Sequence, residues 1–211
     1  MLKIAVLVLC IGWSLADSKP CNDKMPDDIR NKIVKHMNDR RTELANGQVD
    51  GANGKLKAAE FMKTLASDAY LEGEAAKRCS NGRIDTTVLE QMGAASTIVI
   101  GPGCYPKPLH FNDFKKAMVE WWNEAKSYSD NRFTDRTRPN FPQMANANAT
   151  KVGCSFEKQG RLTSVLCLFN SRVTLTQEYY KVSSGLEQKN FSLKDTTVTN
   201  KDMYELCMYI P

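Results

Sequence analysis

Few residues of this chain have the types and spacing that active-site chemistry requires. The sequence contains two histidines, His36 and His110, which are far apart in the chain. It has neither the His-Glu-x-x-His pattern of zinc proteases nor the Gly-x-Ser-x-Gly pattern of serine hydrolases. We therefore interpret both histidines as structural or surface residues, without a catalytic or metal-binding role.

Residues 1–16 have the composition of a secretory signal peptide. Lys3 gives a basic start, an apolar run follows, and small residues precede an expected cut before Asp17. The apolar run is much shorter than the roughly 20 residues that cross a bilayer. The sequence therefore predicts a secreted protein without a membrane span, in which residues 17–211 form one domain.

The seven cysteines fit an oxidising compartment. Cys10 falls in the expected signal peptide, which leaves an even set: Cys21, Cys79, Cys104, Cys154, Cys167 and Cys207. An even number in a secreted chain favours three disulfides over free thiols. A zinc site is disfavoured because the sequence has no Cys-x-x-Cys pair and no His-x-x-x-His pair.

Two Asn-x-Ser/Thr sequences mark candidate glycosylation sites, at Asn148 and Asn190. The sequence around Asn148 is expected to be exposed. The net charge is +5, and basic residues are mixed with acidic ones throughout. Because no dense basic run alternates with aromatic residues, the sequence argues against nucleic-acid binding and favours a mixed solvated surface.

Three helices are predicted from apolar residues at helical spacing. The first runs from about Pro26 to a cap at Gly47, the second covers about 55–79, and the third follows Asn112 as its N-cap. The predicted apolar faces are Ile29, Ile33, Val34, Met37 and Leu44; Leu56, Met62, Leu65, Ala69 and Ala76; and Phe114, Met118, Trp121 and Ala125. Trp121 and Trp122 differ in direction by about 100° on a helix, so we expect a core position for Trp121 and a partly exposed or cleft position for Trp122.

Strand signals come late in the chain, at 152–156 and 162–169 and more weakly at 173–176. Helices followed by strands, without strand–helix alternation, predict an α+β fold and argue against a doubly wound parallel sheet. The apolar run 98–100 is interpreted as a buried strand.

The stretch 141–154 resembles the signature of the CAP superfamily of cysteine-rich secretory, antigen 5 and pathogenesis-related 1 proteins. Phe141, Gln143 and the Lys-Val-Gly-Cys sequence 151–154 match it. Asn140 stands where the signature has histidine, and Asn146 stands where it has tryptophan. The segments 37–41 and 121–124 resemble the His-Asn-x-x-Arg and Trp-Tyr-x-Glu segments of the family.

This resemblance spans about 25–170 and implies an α-β-α sandwich with a divergent tail from about 170. The chain is most similar to the nematode Ancylostoma-secreted proteins. Within them it resembles a divergent branch that holds hookworm platelet inhibitor and neutrophil inhibitory factor.

Many CAP proteins place two histidines and two glutamates in a cleft that can hold a cation. By the resemblance, these positions fall on Arg83, Ala94, Glu124 and Asn140, so one carboxylate of the set remains. Arg83 would also place a fixed positive charge there. The resemblance thus implies no metal, no cofactor and no catalytic residue, with Glu124 as a hydrogen-bonded structural carboxylate.

The resemblance also joins Cys154 to Cys167, which flank a predicted strand–turn–strand segment. Cys21, Cys79, Cys104 and Cys207 would then pair among themselves in one of three ways, which stay open.

The implied function is that of a secreted, non-enzymatic parasite effector. It would bind a host cell-surface or plasma protein, with a platelet or leukocyte integrin as a candidate, although the sequence has no Arg-Gly-Asp, Lys-Gly-Asp or Leu-Asp-Val. The alternative that the resemblance implies is a CAP-type protein that binds a sterol or fatty acid, with the apolar run 98–100 as the lining of the lipid groove. An enzyme ranks last.

Overall fold

The computed structural model describes residues 25–80, 83–84, 92–100, 110–159 and 162–184. The expected signal peptide at 1–16, Cys21, Cys104, Cys207 and Asn190 lie outside these residues. The described elements are α1 Asp27–Ala45, β1 Asp50–Gly51, β2 Gly54–Lys55, β3 Ala59–Glu60, β4 Ala66–Ser67, α2 Ala69–Arg78, β5 Cys79–Ser80, β6 Arg83–Ile84, β7 Gly93–Ile100, α3 Phe111–Asn123, a 3₁₀ turn Glu124–Ser127, α4 Asn140–Met144, β8 Lys151–Gln159, β9 Leu162–Phe169 and β10 Lys181–Val182.

A four-stranded sheet, in the order β4-β8-β9-β7, forms the middle layer. β8 and β7 both run antiparallel to β9, and β4 is parallel to β8. Alternate residues of β9 point to opposite faces, so Leu166 and Leu168 pack with Leu71 and Ala75 of α2. The other face packs against α1, α3 and α4 in the main core. The α-β-α sandwich predicted from the resemblance is confirmed.

The first helix agrees with its prediction. α1 begins directly after Pro26, and the carboxylates of Asp27 and Asp28 lie in its first turn, where the helix dipole favours negative charge. Gly47, with φ of +64°, follows the end of the helix in the left-handed conformation that suits glycine.

The second helix is much shorter than predicted, because α2 contains only Ala69–Arg78. Asp68 caps it by accepting a hydrogen bond from the N–H of Leu71 at 3.0 Å. In the preceding segment, Leu65 donates its N–H to Asn38 Oδ1 at 2.8 Å, and its carbonyl accepts from Asn38 Nδ2 at 3.0 Å. Side chains of α1 thus satisfy backbone groups that a helix would have paired internally. Three residues of the predicted apolar face, Leu56, Met62 and Leu65, are buried all the same. Ala69 is exposed and Ala76 is half-buried, so the prediction is wrong for these two.

The third helix is present, and its apolar stripe of Phe114, Met118, Trp121 and Ala125 is buried as predicted. The predicted N-cap is wrong: α3 begins at Phe111, and Asn112 lies inside its first turn. Trp122 is also buried, at 7% exposed, which corrects the expected partly exposed or cleft position. The Phe141 ring packs against it in a T-shaped arrangement, at a centroid distance of 5.0 Å.

The two stronger strand predictions are confirmed as β8 and β9. Cys154 and Cys167 face each other in the β8–β9 register and form a disulfide. The weak strand at 173–176 is wrong, because this segment forms a turn with Thr176 at φ of +70°. The 98–100 run does form part of a strand, β7, but Ile98 is 47% exposed and not buried.

Candidate functional site

Glu124 and Asn140 are the two expected cleft residues that the fold brings together. The 3₁₀ turn after α3 carries Glu124, and Asn140 is the first residue of α4. Glu124 Oε1 accepts a hydrogen bond from Asn140 Nδ2 at 2.6 Å. Its Oε2 accepts from the backbone N–H groups of Asn140 at 2.8 Å and Phe141 at 2.9 Å. The carboxylate therefore anchors the start of α4.

Asn140 is fixed in one amide orientation by its two side-chain partners. Its Nδ2 faces Glu124, and its Oδ1 accepts from the backbone N–H of Ser96 in β7 at 3.0 Å. Flipping the amide would turn its carbonyl toward a carboxylate and its NH₂ toward an N–H donor. Asn140 thus links α3, α4 and β7, at the position where the CAP signature has histidine.

Burial raises the pKa of Glu124, while its hydrogen bonds from Phe141 and Asn140 oppose that shift. Both oxygens are already engaged by N–H donors. Within the described ranges, no group of three or more histidine, cysteine, aspartate or glutamate side chains is placed to hold a metal ion. The geometry of Glu124 is that of a structural carboxylate.

Ala94 and Arg83, the other two expected cleft positions, are not brought to Glu124 by the described structure. Ala94 packs with the α2-side cluster, across the sheet from the core that contains α3 and α4. Side chains alternate along β7, so the residue on the α3 side is its fully buried neighbour Ala95. The expectation that Ala94 lies in one cleft with Glu124 is therefore wrong. Arg83 pairs with Ser80 in the hairpin after α2, where only its backbone is described.

Arg41 lies in the core and fixes the loop 144–150, which belongs to the CAP signature stretch and is called the signature loop below. Its side chain is 1% exposed, and it donates to the carbonyls of Met144 and Asn146 at 2.8 Å and of Ala149 at 3.2 Å. Its Nε and Nη2 donate to the Lys63 carbonyl at 3.1 and 2.7 Å. Burial lowers its pKa to about 9, which leaves the guanidinium charged at neutral pH. The sequence signal for this role is the position of Arg41, four residues after Met37 on the predicted apolar face of the first helix.

Two buried amides of the signature join the loop to the segment after β9. Gln143 donates to the carbonyl of Ser171 at 2.7 Å and accepts from the N–H of Val173 at 3.2 Å. Asn146, which replaces the signature tryptophan, donates to the Ser171 carbonyl at 3.2 Å and accepts from the N–H of Asn148 at 3.0 Å. These signature residues have structural roles.

The glycine of the Lys-Val-Gly-Cys sequence is required by close packing. A Cβ built on Gly153 would lie 2.1 Å from the backbone nitrogen of Glu72. α2 therefore approaches β8 at a distance that leaves no space for a side chain. Next to this contact, Glu72 forms a two-pronged ion pair with Arg30 of α1, with N–O distances of 2.7 and 2.9 Å.

The two histidines lie in different settings. His36 of α1 is half-buried and contacts the Phe111 ring edge-to-face at 6.1 Å. Burial, with Arg40 and Lys115 nearby, lowers its pKa. His110 is exposed and directly precedes α3, where its N–H donates to Asp113 at 3.4 Å. In the described part of the chain, no helix is long and apolar enough to cross a membrane.

Comparisons with known proteins agree with this architecture. The model of the cysteine-rich secretory protein family, CAP, matches residues 34–170. An Ancylostoma secreted protein of Ancylostoma caninum is 24% identical over 184 residues, which cover 83% of this chain but 42% of that protein. The chain therefore spans less than half the length of this relative.

Several solved structures share the fold at low identity. BmVAL-1 aligns with a TM-score of 0.66 at 23% identity, over 76% of this chain and 85% of its own. NaASP2 with Zn²⁺ also gives 0.66, at 24% identity over 77% and 90% of the two chains. Hookworm platelet inhibitor gives 0.54 at 19% identity, over 77% and 80%. Since the family model covers well over half of the sequence, the chain belongs to the cysteine-rich secretory protein (CAP) family.

Proposed function

We propose that this protein is a secreted, non-enzymatic effector with which a parasite binds a host protein. Secretion is supported by the signal-like residues 1–16 and by similarity to the Ancylostoma secreted protein. The expected target is a cell-surface or plasma protein, with a platelet or leukocyte integrin as the first candidate. Similarity in fold to hookworm platelet inhibitor motivates that choice. Binding would reduce haemostasis or inflammation.

The observation that carries the non-enzymatic part is the engagement of Glu124. Three N–H groups occupy its two oxygens, and its nearest polar neighbour is an asparagine amide. A general base must be free to reach the proton that it removes, and glycosidase-type chemistry needs a second facing carboxylate. Glu124 satisfies neither requirement, and its bonds instead hold α4 in place. The remaining uses of the scaffold are recognition by the protein surface and, as the alternative, lipid binding.

The test uses glycosylated protein secreted from eukaryotic cells. Saturable binding of this protein to platelets, to neutrophils and to purified integrin ectodomains is measured. We expect Asn140→Ala and Glu124→Gln to leave binding within a few-fold, and reduction of the disulfides to abolish it, since a small secreted domain loses about 2–5 kcal/mol with a native bridge. Glu120→Gln, on the exposed side of α3, is the matched control. The proposal is contradicted if the protein shows saturable binding to none of these targets.

The alternative is sterol or fatty-acid binding, and one observation favours it. Ile98 is 47% exposed within the apolar run of β7, on a strand that lies at the end of the described sheet. This alternative predicts stoichiometric uptake of labelled cholesterol or palmitate that Ile98→Asn reduces. Stoichiometric lipid uptake without host-protein binding would replace the effector proposal with this one.

A further inference from the structure

A pocket of about 290 Å³ opens beside the turn that carries Asn148. Its walls come from the end of β3, from the start of β10 and from that turn, and they include Phe61, Asn148, Tyr179 and Tyr180. Its volume is close to the lower end of the roughly 300–1,000 Å³ of small-ligand sites. The pocket is separate from the Glu124–Asn140 site.

Phe61 is unusual in both backbone and exposure. Its φ is +55°, a left-handed conformation that is unfavourable for a bulky L-residue, and its side chain is 75% exposed. A strained backbone that presents an aromatic ring to solvent at a pocket indicates a ligand for that ring. Phe61 is the most exposed large hydrophobic residue in the described part of the chain.

The rest of the pocket defines the chemistry of that ligand. The hydroxyls of Tyr179 and Tyr180 already donate to the carbonyls of Asp130 at 2.8 Å and Lys57 at 3.1 Å. Both tyrosines are at most 3% exposed, so they form a packed floor. The exposed groups include the Phe61 ring and the charged residues Glu178 and Lys181. An aromatic face beside charged hydrogen-bonding groups suits a pyranose, whose C–H face is apolar and whose hydroxyls surround its edge.

Asn148 is a candidate attachment site for a sugar beside this pocket. It lies in the Asn-Ala-Thr glycosylation sequence, is exposed and lines the same pocket. Its backbone is held because its N–H donates to Asn146 Oδ1 at 3.0 Å, and the next carbonyl, of Ala149, accepts from Arg41. We propose that the first N-acetylglucosamine of a glycan on Asn148 occupies this pocket, with its apolar face on Phe61. The inference rests on the proposed secretion but requires no host partner.

Because the glycan is covalently attached beside the pocket, a weak contact between the sugar and Phe61 is enough to keep the sugar bound there. A glycan attached at the rim reaches Phe61 in an intramolecular step, at an effective concentration far above that of a free sugar. The sugar would also cover an aromatic ring that is otherwise open to water, so the glycan should stabilise the fold through Phe61.

The experiment measures how thermal stability depends on each part of the glycan. Protein is secreted from eukaryotic cells with Asn190→Gln, so that Asn148 alone is glycosylated, and occupancy is measured by mass spectrometry. One sample is trimmed enzymatically to a single N-acetylglucosamine, and another is fully deglycosylated. We expect trimming to leave the Tm unchanged and full removal to lower it by several degrees. The acetamide methyl resonance of the first sugar should show an upfield ring-current shift.

Phe61→Asn removes the ring while tolerating positive φ, and Tyr70→Ala is the matched control, since Tyr70 is 63% exposed outside the lining of this pocket. The Tm loss and the upfield shift should disappear in Phe61→Asn and persist in Tyr70→Ala. The inference is overturned by an unoccupied Asn148, or by equal Tm losses with and without Phe61. It is also overturned if the glycan-free protein binds a host protein through Phe61. Host binding in the glycosylated protein is scored separately, so failure here leaves the proposed function intact.

Discussion

Replacing Arg41 should destabilise the protein more than replacing any surface arginine. Arg41→Met keeps the apolar stem but removes the guanidinium donors from the carbonyls of Lys63, Met144, Asn146 and Ala149. The Asn146 carbonyl keeps one donor, the N–H of Ala149 at 3.1 Å. A buried acceptor left without its donor costs about 1–3 kcal/mol. Some of this loss is offset because a charged guanidinium no longer has to be buried.

We therefore expect the free energy of unfolding to fall by about 3–5 kcal/mol, out of a typical total of about 5–15 kcal/mol. Arg41→Lys keeps the charge but has fewer donors in a different geometry, so it should fall between the wild type and Arg41→Met. The matched control is Arg40→Met, because Arg40 forms a partly exposed ion pair with Glu43 at 2.9 Å. Such pairs contribute about 0–1 kcal/mol.

Urea unfolding monitored by circular dichroism gives the free energy of unfolding of Arg41→Met, Arg41→Lys and Arg40→Met by linear extrapolation. For a chain of this size, each 1 kcal/mol shifts the Tm by roughly 2–4 °C, so Arg41→Met should melt on the order of 10 °C lower. Limited proteolysis should also begin within 144–150, since these carbonyls lose their anchor. The reasoning is refuted if Arg41→Met and Arg40→Met have the same stability within about 0.5 kcal/mol, the usual scatter of surface substitutions.

Asn140→Asp should place a second carboxylate against Glu124 and lower stability by about 1–3 kcal/mol at pH 7. Burial already raises the pKa of Glu124, and repulsion between the two carboxylates raises the pKa of the pair further. The variant should therefore be more stable at low pH, where the pair holds a proton, and should lose stability as the pH rises through the raised pKa. A loss of stability that does not depend on pH in urea titrations would contradict this. Gly153→Ala should lower the urea midpoint strongly, because its Cβ would meet backbone of α2, whereas Gly73→Ala, with open space at its Cβ, should not; equal effects would show that α2 can move away. Calorimetry at neutral pH should detect no one-to-one zinc site, and a micromolar site abolished by Glu124→Ala would prove this wrong. Thiol titration of denatured, unreduced secreted protein should find no free thiol, and one stoichiometric thiol would show that the six cysteines outside residues 1–16 are not fully paired.

Features encoded by neighbouring residues were predictable from the sequence. The bounds of α1 follow from Pro26 and Gly47, and the stripe of α3 follows from apolar spacing. The same is true of β8 and β9. The family resemblance then gave the layer order and the Cys154–Cys167 bridge. In each case the signal lies within a short window or in a signature motif.

Features decided by distant partners were not predictable from local pattern. Residues before Asp68 have helical apolar spacing, yet Asn38 and Arg41 of α1 take their backbone hydrogen bonds, and the chain bends away from a helix. Trp122 is covered because α4 returns over it, 19 residues later in sequence at Phe141.

For the candidate site too, some features were predictable from the sequence and others were decided by the tertiary structure. The family resemblance predicted from residue identities that Glu124 is the one carboxylate left among the four expected cleft positions. Only the tertiary structure decided that Glu124 binds Asn140 and two backbone N–H groups, and that Ala94 points to the opposite face of the sheet. The physical reason is that burial and long-range hydrogen bonding depend on which segments meet, and side-chain spacing within one segment carries no information about its partner.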